Sequence, residues 1–167
     1  MNDLTKILAG AIAIGAGATA VMDLWALLQR QLLGIPALDY RLVGRWLGHL
    51  TKGRLAHEAI GRASPVAGEA ALGWAAHYAI GIAFAGVLLA VAGVGWMTRP
   101  TLAPALIVGV GSILAPFLIM QPAFGFGIAA SKTPSPWGAR LRSLITHTVF
   151  ALGLYLSGLA MAAVLRG

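Results

Sequence analysis

Three ionisable side chains fall inside stretches of this sequence that are otherwise apolar: Asp23, His77 and His147. A carboxylate and two imidazoles can bind a small polar ligand, relay a proton, or hold a divalent metal as a two-histidine, one-carboxylate set. An ionisable group inside a membrane span is costly, so it marks a functional site with a nearby partner. These residues are therefore the first candidates for a site.

The composition indicates that these residues lie in a membrane. Of the 167 residues, 59% are hydrophobic and only 10% are charged, which is well outside the range of soluble domains. The net charge of +7 does not indicate nucleic acid as a partner, because Lys and Arg lie in short segments between apolar runs. They indicate contacts with membrane lipids. Cysteine is absent, which excludes a disulfide framework, a thiolate nucleophile and a Cys-ligated metal.

Four stretches are long enough to cross a bilayer, which takes about 20 mainly apolar residues. They run over roughly 7–28, 70–94, 102–121 and 144–165. The sequence therefore predicts an all-α integral membrane protein, a bundle of four transmembrane helices that forms a single domain over 1–167.

The basic residues set the predicted orientation, because cytoplasmic loops carry an excess of Lys and Arg. Nine basic residues lie between spans one and two or between spans three and four: Arg30, Arg41, Arg45, Lys52, Arg54, Arg62, Lys132, Arg140 and Arg142. Three lie on the opposite side: Lys6, Arg99 and Arg166. This split predicts cytoplasmic loops at 34–68 and 123–140, with both termini outside the cytoplasm.

Both loops show signs of structure. The first has apolar residues at helical spacing, namely Leu38, Leu42, Val43, Trp46, Leu47 and Leu50, and an opposite stripe of Arg41, Arg45 and His49. This pattern predicts an interfacial amphipathic helix anchored in the headgroup layer by Trp46 or, as an equal alternative, a helix packed on the protein. In the second loop, the glycines and prolines between 125 and 138 predict a structured turn.

The candidate residues fall at a similar depth. Counted along a helix from the nearest charged residue on the basic side, Asp23 lies about 10 Å, His77 about 12 Å and His147 about 7 to 8 Å below the boundary. Gln121 ends the third span at a similar level, and Pro116 is expected to kink that span one turn earlier. Four spans thus each contribute a polar group to one layer, which predicts a site there.

Several chemistries fit this layer. The predicted ligand-binding residues are Asp23, His77, Gln121, His147, Tyr78, Arg30 and Arg142. Two histidines on diagonal helices can ligate the iron of haem b from both sides, with Asp23 as a hydrogen-bond acceptor for the imidazole. A divalent metal held by His77, His147 and Asp23 is equally consistent.

Two interpretations need no cofactor. In the first, the protein is a proton-coupled carrier or exporter, which acts as a homodimer because four spans seldom enclose a full pathway. Alternatively it is a structural or accessory subunit, in which the histidines only hydrogen-bond across helices and Asp23 pairs with Arg30. No nucleophile elbow, P-loop or dinucleotide fingerprint is present, so no enzyme class is indicated.

Short motifs along the chain resemble a known family. They are MDLWALLQR at 22–30, LDY at 38–40, GRW at 44–46, GWAAHY at 73–78, MQP at 120–122 and AASKTP at 129–134, and 140–147 fits the same pattern. Together they resemble a bacterial domain-of-unknown-function family of small four-span inner-membrane proteins, over nearly the whole chain. The resemblance implies the fold and a location in the bacterial inner membrane, but it implies no activity.

Overall fold

The structure, a computed structural model, describes residues 3–166 and is helical. The helices are α1 (Asp3–Leu33), α2 (Arg41–Leu50), α3 (Glu69–Ala92), α4 (Leu102–Gly111), α5 (Gln121–Ala123) and α6 (Pro136–Val164). Short 3₁₀ helices cover Ile60–Arg62, Val94–Met97 and Ile128–Ala130, and a π-helical turn covers Pro116–Met120. The described part of the chain contains no strand.

Four helical stretches are long and apolar enough to cross a membrane: Leu4–Leu33, Glu69–Ala92, Leu102–Ala123 and Pro136–Val164. They coincide with the four predicted stretches, although the fourth begins earlier than expected. Large apolar side chains on them face outward, and Val91 and Ile107 are each 72% exposed. An apolar outer surface of this kind suits lipid better than water. The prediction of an all-α protein with four transmembrane helices is confirmed.

Local sequence explains where several helices begin and end. α1 ends before Gly34 and α3 ends before Gly93, and both glycines have a positive φ, +65° and +82°. Glycine adopts this conformation without steric cost, so it commonly follows the last helical residue. α6 begins at Pro136. The first residue of a helix has no carbonyl within the helix to which its N–H can donate, so a proline, which has no N–H, loses nothing there.

The third span is interrupted where the sequence predicts a kink. Pro116 has no N–H to donate to the carbonyl of Ser112, four residues earlier. The chain continues through the π turn, in which the backbone N–H of Gln121 donates to the carbonyl of Pro116. The expected kink is therefore a π-helical turn, a feature often found at functional sites.

The chain forms two compact units. Unit 1 consists of 1–37, 78–112 and 145–167. Its buried core is Ala11, Ile14, Ala18, Ala85, Leu88, Leu89, Trp96, Met97, Ala105, Phe150 and Leu154. Small residues let its helix backbones touch, at Gly15 with Ile82, Gly109 with Ala151, and Gly153 with Ala18. Membrane helices pack in this way because lipid provides no hydrophobic force to bring them together.

Unit 2 consists of 38–77 and 113–144 and contains most of both basic loops. The loops are joined by backbone hydrogen bonds. The N–H of His57 donates to the carbonyl of Ala123 at 2.8 Å, and the N–H of Ile60 donates to that of Phe124 at 3.1 Å. The two basic loops are therefore in direct contact within unit 2.

The helix predicted in the first loop is present as α2 and packs on protein. Val43 is buried against Ile60 and Phe124. The indole N–H of Trp46 donates to the carbonyl of Leu55 at 2.9 Å, and its ring meets that of Phe124 edge-on. The second of the two alternatives therefore describes this helix. Its position in the headgroup layer stays a prediction.

α2 crosses the start of α3 with the two backbones in contact. A Cβ atom on Gly44 would overlap the carbonyl of Glu69, and one on Gly73 would overlap the carbonyl of Tyr40. Beside this contact, the guanidinium of Arg45 binds both carboxylate oxygens of Glu69 at 2.8 Å. The polar stripe of α2 thus faces α3 at Arg45, and the crossing is fixed by shape and by charge.

Candidate functional site

The packing of α1 on α3 in unit 1 brings Asp23 to Tyr78. Thr19 lies against Gly81, where a Cβ atom would overlap the threonine hydroxyl. One helical turn further along both helices, the hydroxyl of Tyr78 donates to Oδ2 of Asp23 at 3.0 Å. This hydrogen bond holds the Asp23 side chain in one orientation relative to α3. Arg30, the partner considered from the sequence, is exposed.

The packing of α4 on α6 positions His147. Gly109 lies against Ala151, and one turn away Oγ of Ser112 is 2.7 Å from Nδ1 of His147. The same Oγ is 2.6 Å from the carbonyl of Gly109, which only accepts. The single hydroxyl hydrogen therefore goes to Gly109, and Nδ1 of His147 carries the hydrogen that Ser112 accepts.

This chain of hydrogen bonds fixes the tautomer of His147. In the neutral imidazole, a hydrogen on Nδ1 leaves a lone pair on Nε2, which can accept a proton or a ligand hydrogen. Ser112, which is buried, was missed from the sequence. Its position one turn after Gly109 and one turn before Pro116 was the only signal available.

Asp23 and His147 lie at a similar level in unit 1. α1 and α6 are antiparallel and in contact at two points, Gly17 with Ser157 and Ala18 with Gly153. From Ala18 to Asp23 is about 7.5 Å along α1, and from Gly153 to His147 is about 9 Å along α6. The register of the helices therefore places the carboxylate and the imidazole in the same layer.

His77 and Gln121 belong to unit 2. The ring of His77 stacks on Tyr40 with centroids 4.0 Å apart and meets Trp74 edge-on at 5.8 Å. Gln121 is buried, and its Oε1 has no hydrogen-bond partner in the part of the chain that is described. An unpaired buried amide oxygen is rare and calls for a partner. A role for both residues in one site with Asp23 stays a prediction.

A metal centre gains no support from the structure. Between residues 3 and 166, no three His, Asp or Glu side chains form a group that could hold a metal ion. The divalent metal predicted at Asp23, His77 and His147 therefore stays a prediction, as does haem b. Arg142 is exposed, and its role in ligand binding also stays a prediction.

A second polar cluster, in unit 2, was missed from the sequence. Nδ1 of His49 and Nε2 of His57 are 2.7 Å apart, and both rings are buried. Burial lowers the pKa of His57, and the positive charge of Arg54 and then the neighbouring His49 lower it further. His57 is therefore neutral at pH 7. A lone histidine in a loop carries no pattern that would have identified it.

Comparison with known proteins gives a family and nothing finer. No curated protein matches the chain, and no solved structure does. A family model described as "Protein of unknown function (DUF2938)" matches residues 12–161, which covers almost the whole of the chain. The resemblance inferred from the motifs is confirmed at the level of a family without a known activity. The chain belongs to this family, DUF2938.

Proposed function

We propose that this protein binds a small polar molecule within the membrane, at Asp23, Tyr78 and His147. The observation that carries the proposal is the hydrogen bond of 3.0 Å between Asp23 and Tyr78, which joins two spans. His147 lies at the same level on another span, α6. Its Nδ1 is hydrogen-bonded to Ser112, so its Nε2 presents a lone pair.

The three side chains favour a ligand with hydrogen-bond donors. Both the carboxylate of Asp23 and Nε2 of His147 accept hydrogen bonds, whereas Tyr78 already donates its hydrogen. An amine or a hydroxyl-bearing molecule has donors of this kind. Hydrogen bonds of this kind are stronger in a medium of low dielectric constant than in water, so a few of them suffice for specific binding.

The ligand-binding prediction is tested with isosteric variants purified in mild detergent. Asp23→Asn and His147→Gln should each lose a small molecule that co-purifies with the wild type, as measured by mass spectrometry. Because the two residues share that ligand, the effects on thermal stability should not add in the double variant. Asp39→Asn is the matched control, because Asp39 pairs with Arg41 outside the site.

Two results would redirect or refute the proposal. A Soret band or a stoichiometric metal in the wild type would establish the haem or the metal alternative instead. If all variants retain the same amount of the small molecule and lose stability only in small, additive steps, the polar side chains serve only to hold the helices together. The structural or accessory subunit would then be the remaining reading.

A proton-coupled carrier is the second candidate, and the fixed tautomer of His147 favours it. Nε2 can take up a proton while Ser112 keeps its hydrogen bond to Nδ1. Protonation would place a positive charge beside the ligand and promote its release. We propose a homodimer for this reading, since four spans seldom enclose a pathway. Ligand retention that does not change between about pH 3 and 8 would exclude the coupling, since a buried imidazole takes up its proton at lower pH than an exposed one.

We further propose a bacterial inner-membrane location, with the loops 34–68 and 123–140 in the cytoplasm and both termini outside it. The support is the excess of Lys and Arg in these two loops. A single cysteine introduced at the exposed Lys52 should react in intact cells only with membrane-permeant reagents. A cysteine at the exposed Arg99 is the control and should react with impermeant ones. The reverse pattern of labelling would invert the topology.

A further inference from the structure

Unit 2 contains an open pocket of about 750 Å³, and none of its lining residues belongs to the proposed intramembrane site. The residues of its wall that carry polar side chains are His57, Glu58, Ser131 and Lys132. The first two come from one basic loop and the last two from the other. The pocket is therefore built between the two loops that distinguish this side of the protein.

The loop at 125–132, which forms one side of this wall, has a well-defined backbone conformation. The N–H of Lys132 donates to the carbonyl of Phe126 at 2.8 Å, which closes the turn. Gly125 and Gly127 have φ values of +88° and +72°, a conformation that favours glycine. A Cβ atom on Gly127 would overlap the hydroxyl of Ser131. The side chain of Ser131 is thus packed directly over the glycine backbone.

The same loop is fastened to the first one at the pocket. Gly125 packs so closely on the backbone of Glu58 that a Cβ atom would overlap the Glu58 carbonyl. The neighbouring N–H of His57 donates to Ala123. Both halves of the wall are therefore held by backbone contacts and do not depend on flexible side chains.

The pocket wall carries one basic and one acidic side chain, and a second basic residue lies near it. Lys132 lines it, and Arg54 is near enough to His57 to influence the imidazole. Glu58 is the one acidic side chain in the wall, and it is exposed to solvent. His57 is 94% buried, and its Nδ1 has no hydrogen-bond partner among the described residues. An unpaired buried nitrogen that can donate a hydrogen bond, in the same wall as Lys132 and near Arg54, points to an anionic ligand.

We propose that this pocket binds a phosphate group, with Lys132 providing the opposite charge and Ser131 and His57 providing hydrogen bonds. Phosphate oxygens accept hydrogen bonds, so His57 donates from Nδ1 and accepts at Nε2 from His49. A free phosphorylated solute or a phospholipid headgroup can supply the phosphate. This proposal does not depend on the intramembrane site at Asp23, and either can fail without the other.

The test uses the full-length protein in detergent, with inorganic phosphate as the first probe and calorimetric titration as the measurement. Lys132→Ala should weaken phosphate binding by at least about tenfold, because it removes a charge-assisted hydrogen bond. Glu58→Gln should strengthen binding, because it removes the repelling carboxylate. Lys52→Ala is the matched control, since it removes one exposed positive charge from the other basic loop, away from the pocket wall.

The second probe is a bilayer nanodisc of phosphatidylglycerol and phosphatidylcholine, and native mass spectrometry counts the phospholipids that stay bound. Phosphate binding that responds as expected to all three substitutions supports a solute. Retention of a phospholipid by the wild type and Lys52→Ala, but not by Lys132→Ala, supports a headgroup. Equal effects of Lys132→Ala and Lys52→Ala on both probes would overturn the proposal. So would weaker binding by Glu58→Gln, which would show that the pocket selects cations.

Discussion

Gly73→Ala should destabilise the protein by about 3 kcal/mol, because the new methyl group meets backbone that cannot move aside. A Cβ atom at Gly73 would overlap the carbonyl of Tyr40, just before α2, and would also approach the N–H of Gly44. The two helices would have to separate, and the ion pair between Arg45 and Glu69 would stretch. Thermal unfolding in detergent, followed by tryptophan fluorescence, measures the loss.

Gly111→Ala is the matched control for this substitution. Gly111 is also helical, but nothing lies within 4 Å of the position that its Cβ atom would take. Alanine favours helix over glycine by about 1 kcal/mol, so Gly111→Ala should be neutral or slightly stabilising. Equal behaviour of the two variants would show that the contact between α2 and α3 contributes nothing to stability.

Arg45→Ala should cause a loss of stability about three times larger than that of Arg41→Ala. Arg45 and Glu69 are only 12% and 13% exposed, whereas the side chains of Arg41 and Asp39 are 64% and 41% exposed. Water and salt screen the second pair strongly. Removing Arg45 also leaves the carboxylate of Glu69 without its guanidinium, and the carbonyl of Ala63 loses a donor at 3.1 Å.

A double variant separates the ion pair from the packing of the arginine side chain. If the carboxylate of Glu69 destabilises the protein once its guanidinium partner is removed, the double variant Arg45→Ala/Glu69→Gln should be more stable than the single variant Arg45→Ala. The measurement is the same unfolding transition. Similar losses for Arg41→Ala and Arg45→Ala would mean that the buried pair makes no special contribution to the α2 crossing.

The sequence predicted the helices well because the signals for them are local. About 20 apolar residues in a row suffice to identify a span, and the helical spacing from Leu42 to Leu50 suffices for α2. The ends were less accurate. α6 begins at Pro136, well before the apolar run, because helix continues through polar residues once Pro136 has started it.

Partners that are distant in sequence could not be predicted. Arg45 was recognised as part of a polar stripe, but its partner Glu69 is 24 residues away. Asp23 was selected as an intramembrane carboxylate, and yet its hydrogen bond to Tyr78 spans 55 residues. Such pairs depend on which faces of the helices pack together, and these faces cannot be deduced from a single sequence. Burial of Ser112 beside His147 was missed for the same reason.

The ion pair that fixes α2 has a consequence for the order of events during synthesis. Glu69 follows Arg45 by 24 residues, so at about 5 to 20 residues per second the arginine waits roughly 1 to 5 s for its carboxylate. With the proposed orientation, its full charge would add during that interval to the basic segment that directs insertion. Once α3 has formed, the same guanidinium is committed to Glu69. With the proposed orientation, one arginine would act first as a topological signal for the nascent chain and later as a structural clamp.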